Sequence, residues 1–391
     1  MPVDFQQIRE RVHRMGEQAP ARMRALATKS KQARSLLQEN SQELEKLRQL
    51  VQRATAENSG LRCARPIDEA LTAHFPASEV ATPYRVLAAD GSQISPSRHD
   101  PITFAVVNAG VIRMTHGQGS APEEIVETEM LVDDDLQSNG FPVTEEWVML
   151  QRDLRERQLL VKLAGEEHGP VVALTDGPLE IYGEPKDDPS FQKPFDDYLA
   201  ALRTLSELGA AVAGYVDKPG ADLVVRLLEL LLLPPEGLDQ AGRQRPFSGV
   251  SDASLLGSVV GPGERSAVFA IQSRSSTRFS GELELHFFYL NVGREQKPCL
   301  ARVEIPRWVE ESSELTNLVH ACLLEQCAQM GSRPYPYALH RSHEIAVVRL
   351  EEKDQIEAML LSELGQQGIF PGEGSNKQLL KETDSKTRYE R

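Results

Sequence analysis

The sequence contains 391 residues, of which 40% are hydrophobic and 26% are charged. This composition is typical of globular proteins and excludes wholesale disorder, a collagen-like repeat and a bundle of membrane helices. The longest apolar run, near residues 227–233, is much shorter than the roughly 20 residues that span a bilayer. The N-terminus also lacks a basic stretch followed by an apolar one, so it does not resemble a secretory signal. We therefore expect a cytoplasmic protein with no membrane segment.

The formal net charge of −15 is concentrated in the middle of the chain. Residues 1–60 contain 11 Lys and Arg against seven Asp and Glu, and residues 366–391 contain five against four. The net charges of the two ends are thus +4 and +1, which leaves −20 for residues 61–365. Because Lys and Arg drive phosphate binding through counterion release, so acidic a body is not expected to coat nucleic acid broadly. A confined basic groove is still compatible with it.

The cysteines do not indicate a covalent framework. Cys63, Cys299, Cys322 and Cys327 are too few and too scattered for a set of disulfides or for a Cys-x-x-Cys zinc site. We expect them to be buried free thiols.

The first 75 residues are predicted to form a helical, coiled-coil-like region. The segment 4–58 is rich in Gln, Glu, Arg, Leu and Ala, with a break expected near residues 16–20. Leu37, Leu44 and Val51 recur every seven residues, as the seam of a short coiled coil or of a helical hairpin requires. Such a stripe either joins two copies of the chain or packs on the chain's own domain, and two heptads do not decide between these alternatives.

Residues 80–365 are predicted to form an α/β domain with a mixed sheet and crossover helices, because strand-like and helix-like segments alternate. The polar segment 366–391 is predicted to be a flexible tail. The predicted strands cover residues 85–89, 102–114, 127–132, 171–175, 210–216, 267–273, 282–291 and 300–305, and the predicted helices cover 144–164, 195–208, 221–233, 309–330 and 351–365.

Two carboxylates follow apolar strands in the same sequence context. Asp90 ends the segment Val86-Leu87-Ala88-Ala89-Asp90-Gly91, and Asp176 ends Val171-Val172-Ala173-Leu174-Thr175-Asp176-Gly177. Each Asp-Gly pair taken alone is typical of a simple turn. Ligand sites in such sheets lie at the carboxyl ends of strands, so two neighbouring strands would bring the carboxylates together at one edge. Divalent metal ions could then balance the repulsion between them.

The helix before Asp176 offers a third carboxylate. At about 100° per residue, Met149, Glu156 and Leu163 fall on one face, so Glu156 is predicted to lie within an apolar stripe. A glutamate there is costly unless it is paired or binds a metal. Arg152, one turn earlier, offers a structural salt bridge as the alternative explanation.

Further candidates lie in the C-terminal half. A Pro-rich turn brings Tyr335, His340 and His343 into one short segment, and imidazole is suited to metal binding or proton transfer. Lys218 follows a strand and could offer a point charge to phosphate, although a solvated loop lysine is the alternative. A structural cap for the helix that follows is one alternative for Asp252, whose role the sequence leaves open.

These landmarks together resemble the NurA nuclease family. The resemblance rests on Asp90-Gly91-Ser92, on Asp176-Gly177, on Gly261-Pro262-Gly263 with the residues to Ser266, and on Tyr335-Pro336 through Ser342-His343. It covers roughly residues 80–360. Each motif is short, but their order and spacing are together fairly specific.

The resemblance implies a ribonuclease H-like core with a mixed sheet and flanking helices, here with the N-terminal helical extension. It implies a manganese-dependent deoxyribonuclease, with magnesium as the alternative ion and with 5′–3′ exonuclease and single-strand endonuclease activity. Such an enzyme hydrolyses phosphodiesters with two metal ions about 3.5–4 Å apart. Family partners would be DNA ends and a HerA-type hexameric translocase in double-strand break repair, and a homodimer is expected.

Carried over residue by residue, the resemblance makes Asp90, Glu156, Asp176 and His343 the metal ligands, with Tyr335 near the scissile phosphate. His343 is alternatively a proton relay, and His340 competes with it for the role. Ser92 and Lys218 are the candidate substrate-binding residues.

Two other functions are compatible with the sequence. Actin-like ATPases and sugar kinases also place Asp-Gly turns at strand ends, but the chain lacks a clear Gly-rich phosphate loop, and Pro262 supplies no N–H group. The second alternative is a non-catalytic adaptor that binds DNA ends.

Overall fold

The computed structural model describes residues 4–97, 100–138, 141–181, 189–294 and 297–369, so most of the tail predicted over 366–391 lies outside the described residues. The chain divides into two compact units. The first unit comprises Met1–Val80, Gly177–Glu180 and Ala213–Tyr335, and the second comprises Ala81–Asp176, Ile181–Val212 and Pro336–Arg391.

The regular elements follow the predicted alternation of strands and helices. The strands are β1 Cys63–Pro66, β2 His74–Pro76, β3 Tyr84–Ile94, β4 Phe104–His116, β5 Glu123–Val132, β6 Gln137–Ser138, β7 Phe141–Pro142, β8 Val171–Asp176, β9 Ala211–Val216, β10 Glu264–Ser266, β11 Phe269–Gln272, β12 Leu285–Asn291 and β13 Leu300–Pro306. The helices are α1 Phe5–Glu39, α2 Leu44–Glu57, α3 Glu145–Ala164, α4 Pro189–Glu207, α5 Leu223–Leu230, α6 Asp252–Leu256, α7 Arg307–Glu310, α8 Ser313–Gln329, α9 Tyr337–Ala346 and α10 Leu350–Gln366.

The second unit is built on an antiparallel meander with a parallel strand beside it. β3 pairs antiparallel with β4, and β4 pairs antiparallel with β5. β8 returns parallel to β3, in the register Arg85↔Val171 to Ala89↔Thr175, and the start of β9 follows β8 in the sheet. This strand order is the one expected of a ribonuclease H-like core, so the predicted fold class is confirmed.

Helices cover the sheet of the second unit. α3 connects β5 to β8 and packs on β3, β4 and α4, while α9 packs on β3 and β4. The Thr144 hydroxyl accepts a hydrogen bond from the N–H of Trp147, which satisfies one of the free donors at the start of α3. Val148, in the first turn of α3, packs with Ala105 and Val107 of β4 in one core cluster.

The first unit contains the N-terminal helices and an antiparallel sheet. β1 pairs with β11, β11 with β12, β12 with β13, and β13 with the end of β9, all antiparallel. Leu37 of α1 and Val51 of α2 are fully buried, so the C-terminal end of the heptad pattern packs within the chain's own unit. Farther towards the N-terminus, α1 exposes its apolar residues, among them Phe5 and Val12.

Three local predictions were wrong. α1 continues through Pro20 without the break expected at residues 16–20; the carbonyl that lacks its partner there lies on an exposed stretch, where water can donate to it. The helix predicted over 309–330 is two helices, α7 and α8, because the Ser312 hydroxyl caps α8. The segment after Pro336 was interpreted as part of a Pro-rich turn, but it is helix α9.

Two predictions from composition concerned membrane segments and the state of the cysteines. Within the described ranges, each helix is either too short or too polar to span a bilayer. The four cysteines are free; Cys63, Cys322 and Cys327 are buried, as predicted, whereas Cys299 is partly exposed.

Candidate active site

Asp90 and Asp176 lie side by side on adjacent parallel strands. The last register pair of β3 and β8 is Ala89↔Thr175, so the two carboxylates belong to the next residue of each strand. Parallel neighbours are about 4.8 Å apart. β8 ends at Asp176, whereas β3 continues to Ile94, so the turn predicted after Asp90 is absent. Asp90 therefore lies within a strand, at the point where its parallel neighbour ends.

Both carboxylates point to the face of the sheet that α9 covers. Side chains of a strand alternate between the two faces. The side chains of Asp90 and Ser92 contact α9, and the Thr175 hydroxyl accepts a hydrogen bond from Arg157 of α3. Thr175 therefore faces α3, which places Asp176, the next residue, on the α9 face with Asp90.

His343 of α9 is the histidine that contacts Asp90. Its Nδ1 lies 2.7 Å from the Asp90 carboxylate oxygen Oδ2, and its side chain is 60% exposed. The other Asp90 oxygen accepts a hydrogen bond from the N–H of Gly91. His340, one turn away, lies 3.7 Å from the carboxylate of Glu344 instead. The geometry thus separates the two histidines that the sequence could not distinguish.

The end of α9 is attached to the sheet by polar side chains. The Ser92 hydroxyl donates to the carbonyl of Ala346 and accepts from the N–H of Val348, and the Asn108 amide also donates to the Ala346 carbonyl. The predicted contact of Ser92 with substrate stays a prediction. Its observed contacts hold the helix that carries His343.

Glu156 is buried, as predicted from its position on α3, with a relative exposure of 4%. Its Oε2 lies 2.5 Å from the Arg157 guanidinium, and its Oε1 lies 3.6 Å from Nε of Arg152. The salt bridge to Arg152 that the sequence offered as an alternative is therefore present. Met149, expected on the same buried face, is exposed instead.

Gly91 allows α3 to approach β3 closely. A Cβ atom at this position would lie 2.7 Å from Cγ of Arg152 and 2.8 Å from Oε1 of Glu156. Since residues 90 and 91 point to opposite faces, Glu156 approaches β3 from the face opposite to the Asp90 side chain. The missing side chain at position 91 thus provides the space that the Glu156 carboxylate occupies.

Burial raises the pKa of Glu156 to about 8, although the charge of Arg157 opposes this shift. The charges of Asp153 and Asp90 raise the pKa further, and Arg152 lowers it. The desolvation of the carboxylate is therefore the dominant influence.

We expect Glu156 to make the stability of the metal-free protein depend on pH. A carboxyl group whose pKa is higher in the folded state than the ordinary 4.5 stabilises most below pH 4.5, and this contribution is lost as the pH rises through about 8. Relative to Glu156→Gln, the free energy of unfolding of the natural chain should fall over this window, with a slope approaching about 1.4 kcal/mol per pH unit. Urea unfolding in EDTA at pH 5, 6, 7 and 8 measures it. Parallel curves for the two proteins would contradict the assignment, and Glu145→Gln, at an exposed position, is the control.

Sequence reasoning missed Arg157, which connects three parts of the second unit. It is 3% exposed. Its guanidinium donates to Glu156 and to the Thr175 hydroxyl, and it stacks 5.2 Å from the ring centre of Tyr198 on α4. The sequence does contain an indication of this role. Arg157 directly follows a glutamate that is predicted to face the core, and a buried arginine requires hydrogen-bond partners.

Two predicted site residues, Tyr335 and Lys218, belong to the first unit. The Tyr335 ring packs edge-on against Tyr215, with 5.5 Å between ring centres. The Lys218 side chain is 82% exposed and lies 4.0 Å from the carboxylate of Asp217. The roles of both residues in substrate contact stay predictions.

Asp252 is structural, but it caps a different helix from the predicted one. Its carboxylate accepts hydrogen bonds from the N–H groups of Val224 and Val225, at the start of α5, and from the Tyr289 hydroxyl. Helix α6, which begins at Asp252, is capped by Ser251.

The Gly261-Pro262-Gly263 segment uses its N–H groups internally. The Gly261 N–H donates to the Glu264 carboxylate, and the Gly263 N–H donates to the carbonyl of Asn291. Neither group is available to a phosphate, which weakens the comparison with nucleotide-binding loops.

The candidate ligands are the carboxylates of Asp90, Asp176 and Glu156, with the imidazole of His343 beside Asp90. Carboxylate oxygens are the ligands that hard divalent cations prefer. In the observed conformation, no group of three or more His, Cys, Asp or Glu side chains within the described residues is arranged to hold a metal ion. The division of Asp90 and Glu156 between the two faces of β3, each with its own hydrogen-bonded partner, accounts for this arrangement.

Comparison with known proteins gives one family match. The model of the NurA domain matches residues 84–348. The crystal structure of the NurA nuclease from Sulfolobus solfataricus is 13% identical, with a TM-score of 0.47, and the alignment covers 81% of this chain and 92% of that one. Endonuclease V from Ciona intestinalis, in complex with DNA, is 13% identical, with a TM-score of 0.29 and coverage of 78% and 96%. LC9-RNase H1, a type 1 RNase H, is 13% identical, with a TM-score of 0.23 and coverage of 35% and 64%. No curated protein matches the chain.

Proposed function

This chain belongs to the NurA family, and from that premise we propose that it is a metal-dependent deoxyribonuclease that acts on DNA ends. One observation carries the proposal. Asp90 and Asp176 occupy equivalent positions on adjacent parallel strands of a ribonuclease H-like sheet, and His343 lies 2.7 Å from Asp90. Two carboxylates on neighbouring strands, with an imidazole beside one of them, are suited to the divalent ions of phosphoryl chemistry.

In this proposal, Asp90 and Asp176 supply the carboxylate ligands of manganese or magnesium. Glu156, on the opposite face of β3, would have to leave Arg157 to join them. The ion, when bound, stabilises negative charge on the phosphate oxygens and lowers the pKa of the attacking water. His343 orients the Asp90 carboxylate through their hydrogen bond. Arg157 holds Glu156 and Thr175 in place beneath the strand ends.

The proposed setting is double-strand break repair, in which a HerA-type translocase and a homodimer of this chain would process the ends. The charge of −20 on residues 61–365 supports a need for help in delivering DNA, because we expect so acidic a segment to bind phosphate weakly.

The test is cleavage of end-labelled linear duplex by the purified protein with manganese, magnesium or EDTA. Covalently closed plasmid serves as the control without ends, and labels at the 5′ or 3′ end report the direction of cleavage. We expect degradation of linear DNA that requires a metal ion. Absence of cleavage with either metal, also with a HerA-type translocase added, would overturn the proposal in favour of a non-catalytic adaptor that binds DNA ends.

We expect His343→Ala to reduce cleavage by about 10–100-fold, the usual effect of removing a group that orients a metal ligand. The physical reason is that Asp90 loses the imidazole that fixes its orientation. His340→Ala is the matched control, since it removes the same side chain from the same helix without touching Asp90. Steady-state cleavage of linear duplex in manganese measures both. Equal loss in the two variants would show that α9, and not the His343 imidazole, is responsible.

A further inference from the structure

The cations of helix α1 lack acidic partners. Eight Lys and Arg residues lie on this helix, and none of them forms an ion pair with a carboxylate in the parts of the chain that the structure describes. Two have neutral partners, since Arg22 donates to the Gln18 amide oxygen and Lys29 to the carbonyl of Ser248. The eight residues are Arg9, Arg11, Arg14, Arg22, Arg24, Lys29, Lys31 and Arg34.

Arginines in the rest of the chain often have acidic partners. Arg113 approaches three glutamates, Arg265 pairs with Glu69, and Arg226 pairs with Glu229. A guanidinium already bound to carboxylates gives up those partners before it can bind phosphate. Helix α1 is thus a concentrated group of cations that can bind another anion without such a loss, in a chain whose residues 61–365 carry −20.

Three of these arginines lie along one side of the exposed N-terminal half of α1. Arg11, Arg14 and Arg22, with Gln18 and Met15 between them, line an open groove. At 1.5 Å per residue, the row from Arg11 to Arg22 extends about 16 Å along the helix axis. The same length of duplex DNA carries roughly ten phosphate charges, counted over both strands. The other end of α1 is fixed, because Ala33 and Leu37 are fully buried within the first unit.

We propose that the N-terminal half of α1 is a second DNA-binding surface, which binds the phosphate backbone of the duplex independently of its base sequence. The proposal rests on the function proposed above and assigns to α1 the electrostatic binding that the acidic part of the chain does not supply. Each guanidinium contributes paired hydrogen bonds to phosphate oxygens, and binding releases the counterions of the DNA.

The experiment compares Arg11→Gln/Arg14→Gln/Arg22→Gln with the natural chain and with Arg203→Gln/Arg243→Gln/Arg274→Gln. The control removes the same charge from exposed arginines that form no ion pair in the described residues. Binding of a fluorescent 30-base-pair duplex is measured by anisotropy in EDTA, between 50 and 200 mM NaCl. Because no cleavage occurs in EDTA, the outcome does not depend on whether the protein is a nuclease. Circular dichroism checks that α1 stays folded.

For the α1 variant we expect affinity to fall on the order of 10²-fold near 150 mM salt. The slope of log K against log[salt] should shrink by about 2.7, which is 0.9 for each of the three phosphates that the variant no longer neutralises. The control variant should behave like the natural chain. Equal losses in both triple variants, or an unchanged slope in the α1 variant, would overturn the proposal. Polyglutamate serves as a second probe. If the α1 variant loses polyglutamate binding but keeps DNA binding, α1 is a surface for an acidic protein and the proposal is wrong.

Discussion

Replacing Asp90 or Asp176 by Ala should abolish metal-dependent cleavage, with a loss of at least roughly 10³-fold for each variant, since a bound ion supplies several kcal/mol of transition-state stabilisation. The two side chains leave adjacent strands at equivalent positions, so each holds one side of the same proposed site. Both variants are compared with the natural chain in single-turnover assays of end-labelled duplex.

Asp197→Asn is the matched control for this pair, because it changes an exposed aspartate on α4 of the same unit. It should cleave at the natural rate. Thermal unfolding separates loss of chemistry from loss of structure, and manganese binding by electron paramagnetic resonance gives a readout that does not need turnover. Normal cleavage by a folded Asp176→Ala variant would remove β8 from the site.

The second large effect is expected from Gly91→Ala. The added methyl group would lie 2.7 Å from Cγ of Arg152 and 2.8 Å from Oε1 of Glu156, so these side chains have to move. We expect a loss of about 1–3 kcal/mol in the free energy of unfolding, the usual cost of overpacking. Cleavage should fall by about 10²-fold, because Gly91 adjoins Asp90 and a misplacement of about 1 Å in a site can have an effect of this size.

Gly165→Ala is the control for the glycine change. A Cβ at that position would lie 3.5 Å from its nearest neighbour, the carbonyl oxygen of Val161, which is an ordinary separation. We expect its stability to change by no more than about 0.5 kcal/mol, with full cleavage. A Gly91→Ala protein that is destabilised but cleaves normally would show that Glu156 is structural, paired with Arg152 and Arg157 only.

Much of the second unit could be predicted from the sequence because its strands are apolar and nearly continuous. The segments around Val86 and Val172 are short apolar runs of the kind found in buried parallel strands. Their shared Asp-Gly endings predicted that Asp90 and Asp176 would meet at one edge if the two strands were neighbours. The strand boundaries were less accurate. β3 continues beyond Asp90 because β4 pairs with it as far as Ile94, and this long-range partner outweighs the local preference of Asp-Gly for a turn.

The parts of the site that the sequence did not predict depend on tertiary contacts. Helix α9 was not predicted, because Pro334 and Pro336 were interpreted as signs of a turn, although proline is common at the start of helices. The choice between His340 and His343 depends on which of the two faces the sheet, and they lie only three positions apart on the helix. Glu156 lies on the face of β3 opposite to the Asp90 side chain because α3 packs over Gly91. No sequence motif predicts this packing.

The equivalent positions of Asp90 and Asp176 also bear on how the chain can change over evolutionary time. Their separation is fixed by backbone hydrogen bonds between two neighbouring strands, and the length of the connections does not enter into it. The six residues 165–170 that join α3 to β8 could lengthen or shorten, and inserted segments there could acquire new partners, without changing the distance between the two carboxylates. The chemistry of such a fold is thus protected from insertions that would misalign a site built on loops.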